Sequence, residues 1–260
     1  MRIARFTSGD GAAFGVVEGD EDALTVRRME GHPFAPFQLT GDPVPVSDVR
    51  LLAPVLPSKV VAIGRNYAEH VQEMGGEGDL AEPPVVFLKP STSVIGPGDA
   101  VQYPVGISGQ VDFEGELAVV IARLCREVPP ERVRDVVLGF TCANDVTARD
   151  LQRRESQWGR AKGFDTFCPI GPWVATDVDP TDLAVTTTVN GELRQAGRTS
   201  QMMRGVDELV SHVSQAMTLL PGDVILTGTP SGVGPLEVGD EVSVTIEQVG
   251  TLTCRVVARG

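Results

Sequence analysis

An apolar run over residues 111–121 carries three acidic residues at alternate positions, and this pattern limits how the chain can fold. Successive side chains of a strand point to opposite faces, so Asp112, Glu114 and Glu116 are expected on one face. The run continues into apolar residues, which indicates a strand that enters a core. Carboxylates about 6–7 Å apart on one face repel each other unless a cation lies between them. The run therefore predicts a metal site, whereas an isolated Glu-x-Glu pair is more typical of a solvated strand face.

A fourth carboxylate, Asp145, has a similar setting. It follows a second apolar strand-like run, residues 136–143, and precedes a helix-like segment, residues 147–152. No His or Cys accompanies the acidic residues of the strand motif, and an all-oxygen ligand set favours Mg²⁺ or Mn²⁺ over Zn²⁺. Such a cation acts as a Lewis acid on a carbonyl or enolate oxygen.

Charge and composition exclude several classes of function. The chain has 260 residues, 42% of them hydrophobic, and a net charge of −13, which argues against binding to nucleic acid or to anionic membranes. The four cysteines form no Cys-x-x-Cys pair and are expected to be reduced thiols. Neither a signal peptide nor an apolar run of about 20 residues is present. These features predict a cytoplasmic protein without a membrane partner.

The chain divides into two regions by composition. Residues 1–50 contain short strand-like pieces that end in a Pro- and Gly-rich link, and they predict a small β-rich module. Residues 51–260 alternate apolar strands with few helices, which predicts an α+β catalytic domain with a mixed or largely antiparallel sheet. Apolar residues at helical spacing predict a helix over residues 205–220, and Asn190-Gly191 predicts a hairpin turn.

Three further segments carry candidate chemistry. His70 and Glu73 are three residues apart, so on a helix they share a face and could form a water-activating base, although such pairs are often surface pairs. Lys162 lies in a Gly-flanked loop where it could meet an anionic substrate or simply be solvated. Thr229 lies in a Gly-rich turn after an apolar strand, where its hydroxyl and nearby backbone N–H groups could bind a carboxylate.

In this order, the motifs resemble those of the fumarylacetoacetate hydrolase family. The resemblance spans residues 50–258. Within the family, the chain is similar to the short bacterial members called 2-hydroxyhepta-2,4-diene-1,7-dioate isomerases or acylpyruvases. It rests on Gly64-Arg-Asn-Tyr-Ala-Glu-His70, Phe87-Leu-Lys-Pro90, Asp112-Phe-Glu-Gly-Glu-Leu117, Asn144-Asp-Val-Thr-Ala-Arg-Asp150, Lys162-Gly-Phe-Asp-Thr-Phe-Cys-Pro169 and Leu226-Thr-Gly-Thr-Pro230.

The resemblance implies a role for each matching residue. The metal ligands, for Mg²⁺ or Mn²⁺, are Glu114, Glu116 and Asp145. The catalytic residues are His70 as base, Glu73 as its partner and Lys162, which polarises the substrate. The substrate-binding residues are Arg65, Lys89, Gln152 and Thr229. The resemblance also implies a mixed β-rich roll and a homodimer.

The implied reaction acts on a small anionic 2-oxo or 2-hydroxy-dienoic acid, as in the catabolism of aromatic compounds. C–C hydrolysis of an acylpyruvate through a metal-bound enolate is the first expectation, because the base pair is complete. Dienoate isomerisation and oxaloacetate decarboxylation pass through the same enolate and stay open. An alternative of another class is a non-catalytic protein that retains the metal or ligand site. The longer eukaryotic hydrolases place their partner Glu elsewhere, so their substrate is not implied.

Overall fold

The computed structural model describes residues 1–9, 11–20, 23–76 and 83–260, and within these ranges the chain forms twenty strands and four α-helices. The strands are β1 (Arg2–Thr7), β2 (Ala12–Glu18), β3 (Thr25–Glu30), β4 (Gln38–Pro45), β5 (Arg50–Leu52), β6 (Val60–Gly64), β7 (Val85–Lys89), β8 (Val94–Ile95), β9 (Ala100–Tyr103), β10 (Val111–Phe113), β11 (Gly115–Ile121), β12 (Val137–Asn144), β13 (Thr147–Ala148), β14 (Cys168–Ala175), β15 (Ala184–Val189), β16 (Glu192–Arg198), β17 (Val224–Leu226), β18 (Gly234–Leu236), β19 (Glu241–Ile246) and β20 (Gly250–Ala258). The α-helices are α1 (Ala68–Glu73), α2 (Arg149–Arg154), α3 (Gly159–Lys162) and α4 (Val206–Ala216). Short 3-10 turns lie at Val46–Asp48, Ser91–Ser93, Pro130–Asp135 and Thr199–Gln201.

The strands form three sheets. The largest runs in the order β4-β3-β2-β1-β14-β12-β11-β17-β6-β7, with β5 paired to β1 and β8 paired to β14. A five-stranded sheet has the order β16-β15-β19-β20-β9, and a three-stranded sheet has the order β13-β10-β18. The pairs β6–β17, β8–β14 and β9–β20 are parallel, and the neighbouring pairs are antiparallel. The predicted α+β class with mixed, β-rich architecture is confirmed.

The main core lies between the largest sheet and the five-stranded sheet. Leu117 and Val119 of β11 belong to the same buried cluster as Val185 of β15, Val244 of β19 and Leu252 of β20. Each of these side chains is at most 1% exposed, so the two sheets exclude water between them. Burial of a Val or Leu side chain contributes about 1.5–3 kcal/mol. This core fixes β11, the strand that carries the acidic motif.

Two local predictions are confirmed, although the predicted helix is shorter than expected. Asn190 and Gly191 adopt φ values of +52° and +79° between β15 and β16, as a type I′ hairpin turn requires. The predicted helix over residues 205–220 forms as α4 but ends at Ala216. Met217 is extended, and Leu219 pairs with Cys125, because pairing with another segment replaces the last helical turn. Within the described ranges, no helix is long and apolar enough to cross a membrane.

Two predicted segments differ from the structure. The predicted strand over residues 111–121 is two strands, because β10 pairs with β13 and β18 whereas β11 pairs with β12 and β17, and the chain changes sheet at Glu114. Part of the Pro- and Gly-rich link is strand β4, at the edge of its sheet, where proline is tolerated. β1 pairs with β14, so the N-terminal strands extend the largest sheet. The division at residue 50 stays a prediction.

A buried carboxylate fixes the parallel pair that leads into the site. Asp223, just before β17, accepts hydrogen bonds from the Ser58 N–H at 3.0 Å, the Ser58 hydroxyl at 2.6 Å and the Leu220 N–H at 2.8 Å. The ammonium of Lys59 also donates to it. Burial alone would raise the pKa of Asp223, but the hydrogen bonds from Lys59 and Ser58 outweigh it and lower the pKa. Asp223 thereby holds the start of β17 against the start of β6.

Asp223→Ala is expected to lower the free energy of unfolding by about 1–3 kcal/mol, because it removes the buried acceptor that Ser58, Lys59 and Leu220 share, although these donors are themselves only partly buried. A carboxylate with a lowered folded-state pKa stabilises the protein above its ordinary value of 3.8, and this contribution is lost as the pH falls through the folded-state pKa. The difference between parent and variant should therefore be full at pH 7 and shrink below about pH 4 in urea titrations. Asp135→Ala, which removes an exposed pair with Arg132, is the control and should cost about 0.5 kcal/mol or less. Equal losses in the two variants would contradict the role of Asp223.

Candidate active site

Three buried carboxylates meet where β11 begins and β12 ends. Glu114, Glu116 and Asp145 each offer an oxygen, and these atoms lie within 4.8 Å of one another. The antiparallel register of β11 and β12 aligns Gly115 with Asn144, so the residues next to them become neighbours. The Asp145 N–H donates to the Glu114 carbonyl at 2.8 Å, which fixes this junction. We call Glu114, Glu116 and Asp145 the carboxylate cluster.

Two cations compensate Glu114. Lys162 donates to Glu114 Oε2 at 2.8 Å and to Asp145 Oδ2 at 2.6 Å. Arg149 donates from Nη2 to Glu114 Oε1 at 2.6 Å and from Nε to Asp112 Oδ2 at 2.8 Å. Burial would raise the pKa of Glu114, but Lys162 and Arg149 outweigh it and hold the pKa below its usual range. Burial would also lower the pKa of Lys162, but Asp145 and Glu114 raise it, so the ammonium stays protonated.

Glu116 has a different environment. It accepts the Gly228 N–H at 2.6 Å, and within the described residues no cationic side chain pairs with it. Burial and repulsion by Asp145 and Glu114 raise the pKa of Glu116 well above its usual value. The cluster and Asp112 thus bring four carboxylates against three cations, Lys89, Lys162 and Arg149, and one negative charge is left over. An uncompensated buried carboxylate within an all-oxygen set fits a hard divalent cation.

A histidine–glutamate pair lies on α1. His70 Nδ1 lies 3.2 Å from Glu73 Oε2, and His70 is only 8% exposed. Glu73 also accepts the Gly232 N–H at 3.0 Å, which fixes the carboxylate. If Nδ1 carries the proton, it donates to Glu73 and leaves Nε2 as the basic nitrogen. His70 is therefore buried at the site, whereas the side chain of its partner Glu73 stays 34% exposed.

One cavity of about 290 Å³ connects these groups. His70, Lys162 and the carboxylate cluster all line it. Its apolar side is formed by Ile63, Val71, Met74, Phe87 and Trp158. Two exposed cations, Arg65 and Arg153, lie at its edge. The cavity is therefore lined on one side by charged groups and His70 and on the other by apolar side chains. The two arginines place positive charge at its edge.

Three of the four predicted substrate contacts line the cavity, and Arg65 and Gln152 are two of them. Arg65 has a φ of +62°, in the left-handed region that non-glycine residues seldom adopt, and functional sites often hold such residues. Gln152 accepts from Arg149 Nη1 at 2.6 Å through its Oε1, so its side-chain N–H groups are the part left for a ligand. Their roles in binding stay predictions.

The other two, Thr229 and Lys89, bond to groups of the protein, and their roles in substrate binding also stay predictions. Thr229 lines the cavity, but its hydroxyl donates to the Gly115 carbonyl at 2.8 Å and accepts from Gln195 Nε2 at 2.7 Å. Its hydroxyl proton is therefore already committed within the protein. Lys89 is 1% exposed and is not among the described residues that line the cavity. It donates to Asp145 Oδ1 at 2.5 Å, so the structure places it behind Asp145.

Sequence reasoning gave no role to Arg149, although this residue joins Asp112, Glu114 and Gln152. Its position four residues after Asp145, at the first turn of α2, was the available signal. Gln195 was also missed, because a single Gln on a polar strand carries no sequence signal.

Comparisons with known proteins match both parts of the chain to family models. The family model described as "Fumarylacetoacetate (FAA) hydrolase C-terminal" matches residues 59–257, and the model "Rv2993c-like, N-terminal" matches residues 1–54. The solved structure of 5-carboxymethyl-2-hydroxymuconate delta-isomerase from Mycobacterium smegmatis is 52% identical, with a TM-score of 0.93 and complete coverage of both chains. This likeness confirms the predicted roll and its N-terminal module.

Two other similar proteins have more specific names. The oxaloacetate tautomerase YisK of Bacillus subtilis is 42% identical over 92% of this chain and 83% of its own length. The structure of fumarylpyruvate hydrolase from Pseudomonas aeruginosa, in complex with Mn²⁺ and pyruvate, is 34% identical with a TM-score of 0.74 and covers 85% of this chain and 93% of its own. The similar proteins thus include a tautomerase, an isomerase and a hydrolase.

Proposed function

The chain belongs to the fumarylacetoacetate hydrolase family, and from this we propose that it is a divalent-metal-dependent enzyme that enolises small 2-oxo acids. The observation that carries the proposal is one cavity lined both by His70, which contacts Glu73 through its Nδ1, and by the carboxylate cluster. Removal of a proton next to a keto group requires a base on one side and stabilisation of the developing oxyanion on the other. Keto–enol tautomerisation of an oxaloacetate-type acid is the simplest reaction that uses both.

The carboxylate cluster would hold Mg²⁺ or Mn²⁺, and a bound divalent cation would supply Lewis-acid stabilisation of negative charge on the substrate. Lys162 acts beside it. An ammonium has three N–H donors, two of which engage Glu114 and Asp145, so within the described residues the third is available at the cavity. This N–H would donate to the substrate oxygen. Lys162 therefore binds and orients the keto group that is to be enolised.

His70 would move the proton. Its Nε2 takes the proton from the carbon next to the keto group, while Glu73 stabilises the imidazolium that forms. Return of the proton to the substrate oxygen gives the enol, and return to carbon gives the keto form, so no atoms are gained or lost. The apolar wall of Phe87 and Trp158, whose rings meet edge-on at 5.4 Å, limits the access of competing water. Arg65 and Arg153 would attract the anionic acid to the cavity.

C–C hydrolysis of an acylpyruvate is a second candidate. The same His70–Glu73 pair could deprotonate a water molecule, and the Pseudomonas aeruginosa relative is named a fumarylpyruvate hydrolase. Hydrolysis would add water across the bond and yield pyruvate and a carboxylic acid. The two reactions differ in what His70 deprotonates and in whether a C–C bond breaks. In hydrolysis, the proton that His70 takes from water would pass to the carbon of the leaving pyruvate enolate.

A substrate panel tests the proposal. We expect Mn²⁺- or Mg²⁺-loaded protein to accelerate keto–enol exchange of oxaloacetate. The exchange is monitored by ultraviolet absorbance and by NMR detection of deuterium incorporation at C3. Acetylpyruvate, fumarylpyruvate and 2-hydroxyhepta-2,4-dienedioate, with products identified by NMR, complete the panel. Protein treated with EDTA is the control and should be inactive. C–C cleavage without faster exchange would favour the second candidate, release of CO₂ would indicate a decarboxylase, and no turnover would indicate a non-catalytic binding protein.

A further inference from the structure

A buried glutamine lies on an otherwise solvent-accessible edge strand. Of the seven residues of β16, all of them described, Gln195 alone is buried, with no exposed surface, and its neighbours are exposed or half-buried. An inward position on such a strand is ordinarily occupied by an apolar residue, because a buried amide needs several partners to offset its lost hydration. Gln195 therefore requires a specific explanation.

A β-bulge aims this side chain inward. Thr187 of β15 pairs with Gln195, whereas the next residue, Thr188, pairs with Leu193, so Arg194 is one residue in excess on β16. An extra residue bends a strand and re-aims the side chains beside it. Here it turns Gln195 toward β11, out of the five-stranded sheet and into the largest one.

Every polar group of the Gln195 amide is used. Its Oε1 accepts the Gly115 N–H at 2.9 Å, and its Nε2 donates to Thr229 Oγ1 at 2.7 Å and to the Pro230 carbonyl at 2.9 Å. Gly115 lies between the two glutamates of the carboxylate cluster. A Cβ at this glycine would lie 2.1 Å from Thr187 Oγ1, so glycine allows the five-stranded sheet to come this close. The amide thus joins the ligand-bearing strand to the loop that follows β17.

That loop, residues 227–232, connects both halves of the site. The Gly228 N–H donates to Glu116 Oε2 at 2.6 Å. At the other end of the loop, the Gly232 N–H donates to Glu73 Oε1 at 3.0 Å. The loop therefore spans from the carboxylate cluster to the His70–Glu73 pair, and Gln195 holds its middle.

We propose that Gln195 is a positioning residue that fixes the carboxylate cluster and the base at their working separation. It is not among the described residues that line the cavity, and it acts through Gly115, Thr229 and Pro230. This inference rests on the proposed function, since it assigns Gln195 to the same metal and base. Without these three hydrogen bonds, the loop can shift relative to β11, and both ends of the site lose their alignment.

Gln195→Met is the principal variant, because methionine has a similar length and makes none of the three hydrogen bonds. In folded protein we expect its Mn²⁺ dissociation constant, measured by calorimetry, to rise about 10-fold, as for partners that orient metal ligands. We expect kcat to fall about 10- to 100-fold with a smaller change in KM, since misplacement of a base affects the chemical step. Gln195→Asn retains the amide but is one methylene too short to reach both partners, so it should show the same direction and serves if Gln195→Met does not fold.

Gln102→Met is the matched control. Gln102 is exposed on β9 of the same five-stranded sheet and is not among the described residues that line the cavity, so the same substitution there should leave Mn²⁺ affinity and kcat unchanged. A merely structural Gln195 would lower the melting temperature but leave Mn²⁺ affinity and kcat of the folded fraction at parent values, and that result would overturn the inference. If the parent protein itself binds no Mn²⁺, the proposed function fails and the inference falls with it. If the parent protein binds Mn²⁺ and Gln195→Met retains the parent Mn²⁺ affinity and kcat, the positioning role of Gln195 is refuted and the proposed function stands.

Discussion

Glu116→Gln is expected to remove divalent-metal binding and, at neutral pH, to stabilise the metal-free protein. Glutamine keeps the shape and an oxygen acceptor for the Gly228 N–H but removes one negative charge. Three carboxylates would then face three cations, so the repulsion from Asp145 and Glu114 that raises the pKa of Glu116 disappears. The same loss removes an anionic ligand from a hard-cation site. Since partners that only orient ligands cost about 10–100-fold in affinity, loss of a ligand should cost about 100-fold or more.

The two effects have separate measurements. Calorimetric titration with Mn²⁺ reports the affinity, and thermal unfolding with and without Mn²⁺ reports the stability. Glu127→Gln, at an exposed residue paired with Arg126, is the control and should change neither. Parent-like Mn²⁺ affinity in Glu116→Gln would refute the proposed metal site.

The pH dependence of stability has a defined sign. A carboxyl whose folded-state pKa is raised binds its proton more tightly in the folded protein than in the unfolded chain. The stability of the metal-free parent should therefore fall as the pH rises from 4.5, the ordinary value, through the raised pKa of Glu116. Glu116→Gln should lack this decline, and the two unfolding curves should diverge as the pH approaches neutrality. Parallel curves would mean that Glu116 is compensated by a protein cation.

The carboxylate cluster could be predicted from sequence because it depends on local rules. Glu116 lies in β11 and Glu114 lies immediately before it, so their two-residue spacing still brings both carboxylates to one region, and a carboxylate at the end of a neighbouring buried strand supplies Asp145. Asp112 did not follow the same rule, because the chain changes sheet at Glu114 and leaves Asp112 with Arg149. Strand pairing is decided by distant partners, which periodicity in one segment does not reveal.

The partners that compensate the buried charges and polar groups of the site could not be predicted from the residues alone. Lys89 and Gln195 come from strands far from β11 in the sequence, and a Lys or Gln on a strand is ordinarily solvated. Only tertiary packing shows that they are buried and what they bond. The same limit applies to the homodimer and the cytoplasmic location, which stay predictions.

His70→Ala is expected to lower kcat for enolisation by about 10²–10⁴-fold, the usual contribution of a general base. Mn²⁺ affinity should change little, because His70 bonds to Glu73 and is not one of the clustered carboxylates. Glu73→Gln should give a smaller loss of kcat, since the imidazole remains but loses the charge that stabilises its protonated form. Steady-state kinetics at saturating Mn²⁺, with calorimetry on the same preparations, measure both quantities.

His212→Ala on α4 is the matched control, a half-buried helical histidine outside the residues that line the cavity, and should retain parent kcat. Added imidazole should restore part of the activity of His70→Ala, because the truncation leaves space beside an intact carboxylate cluster. Parent-level kcat in His70→Ala would exclude His70 as the base. If His70→Ala instead lost both kcat and Mn²⁺ affinity, α1 and the loop over residues 227–232 would support the metal site directly. That loop contacts both parts of the site, because its Gly228 N–H donates to Glu116 and its Gly232 N–H donates to Glu73.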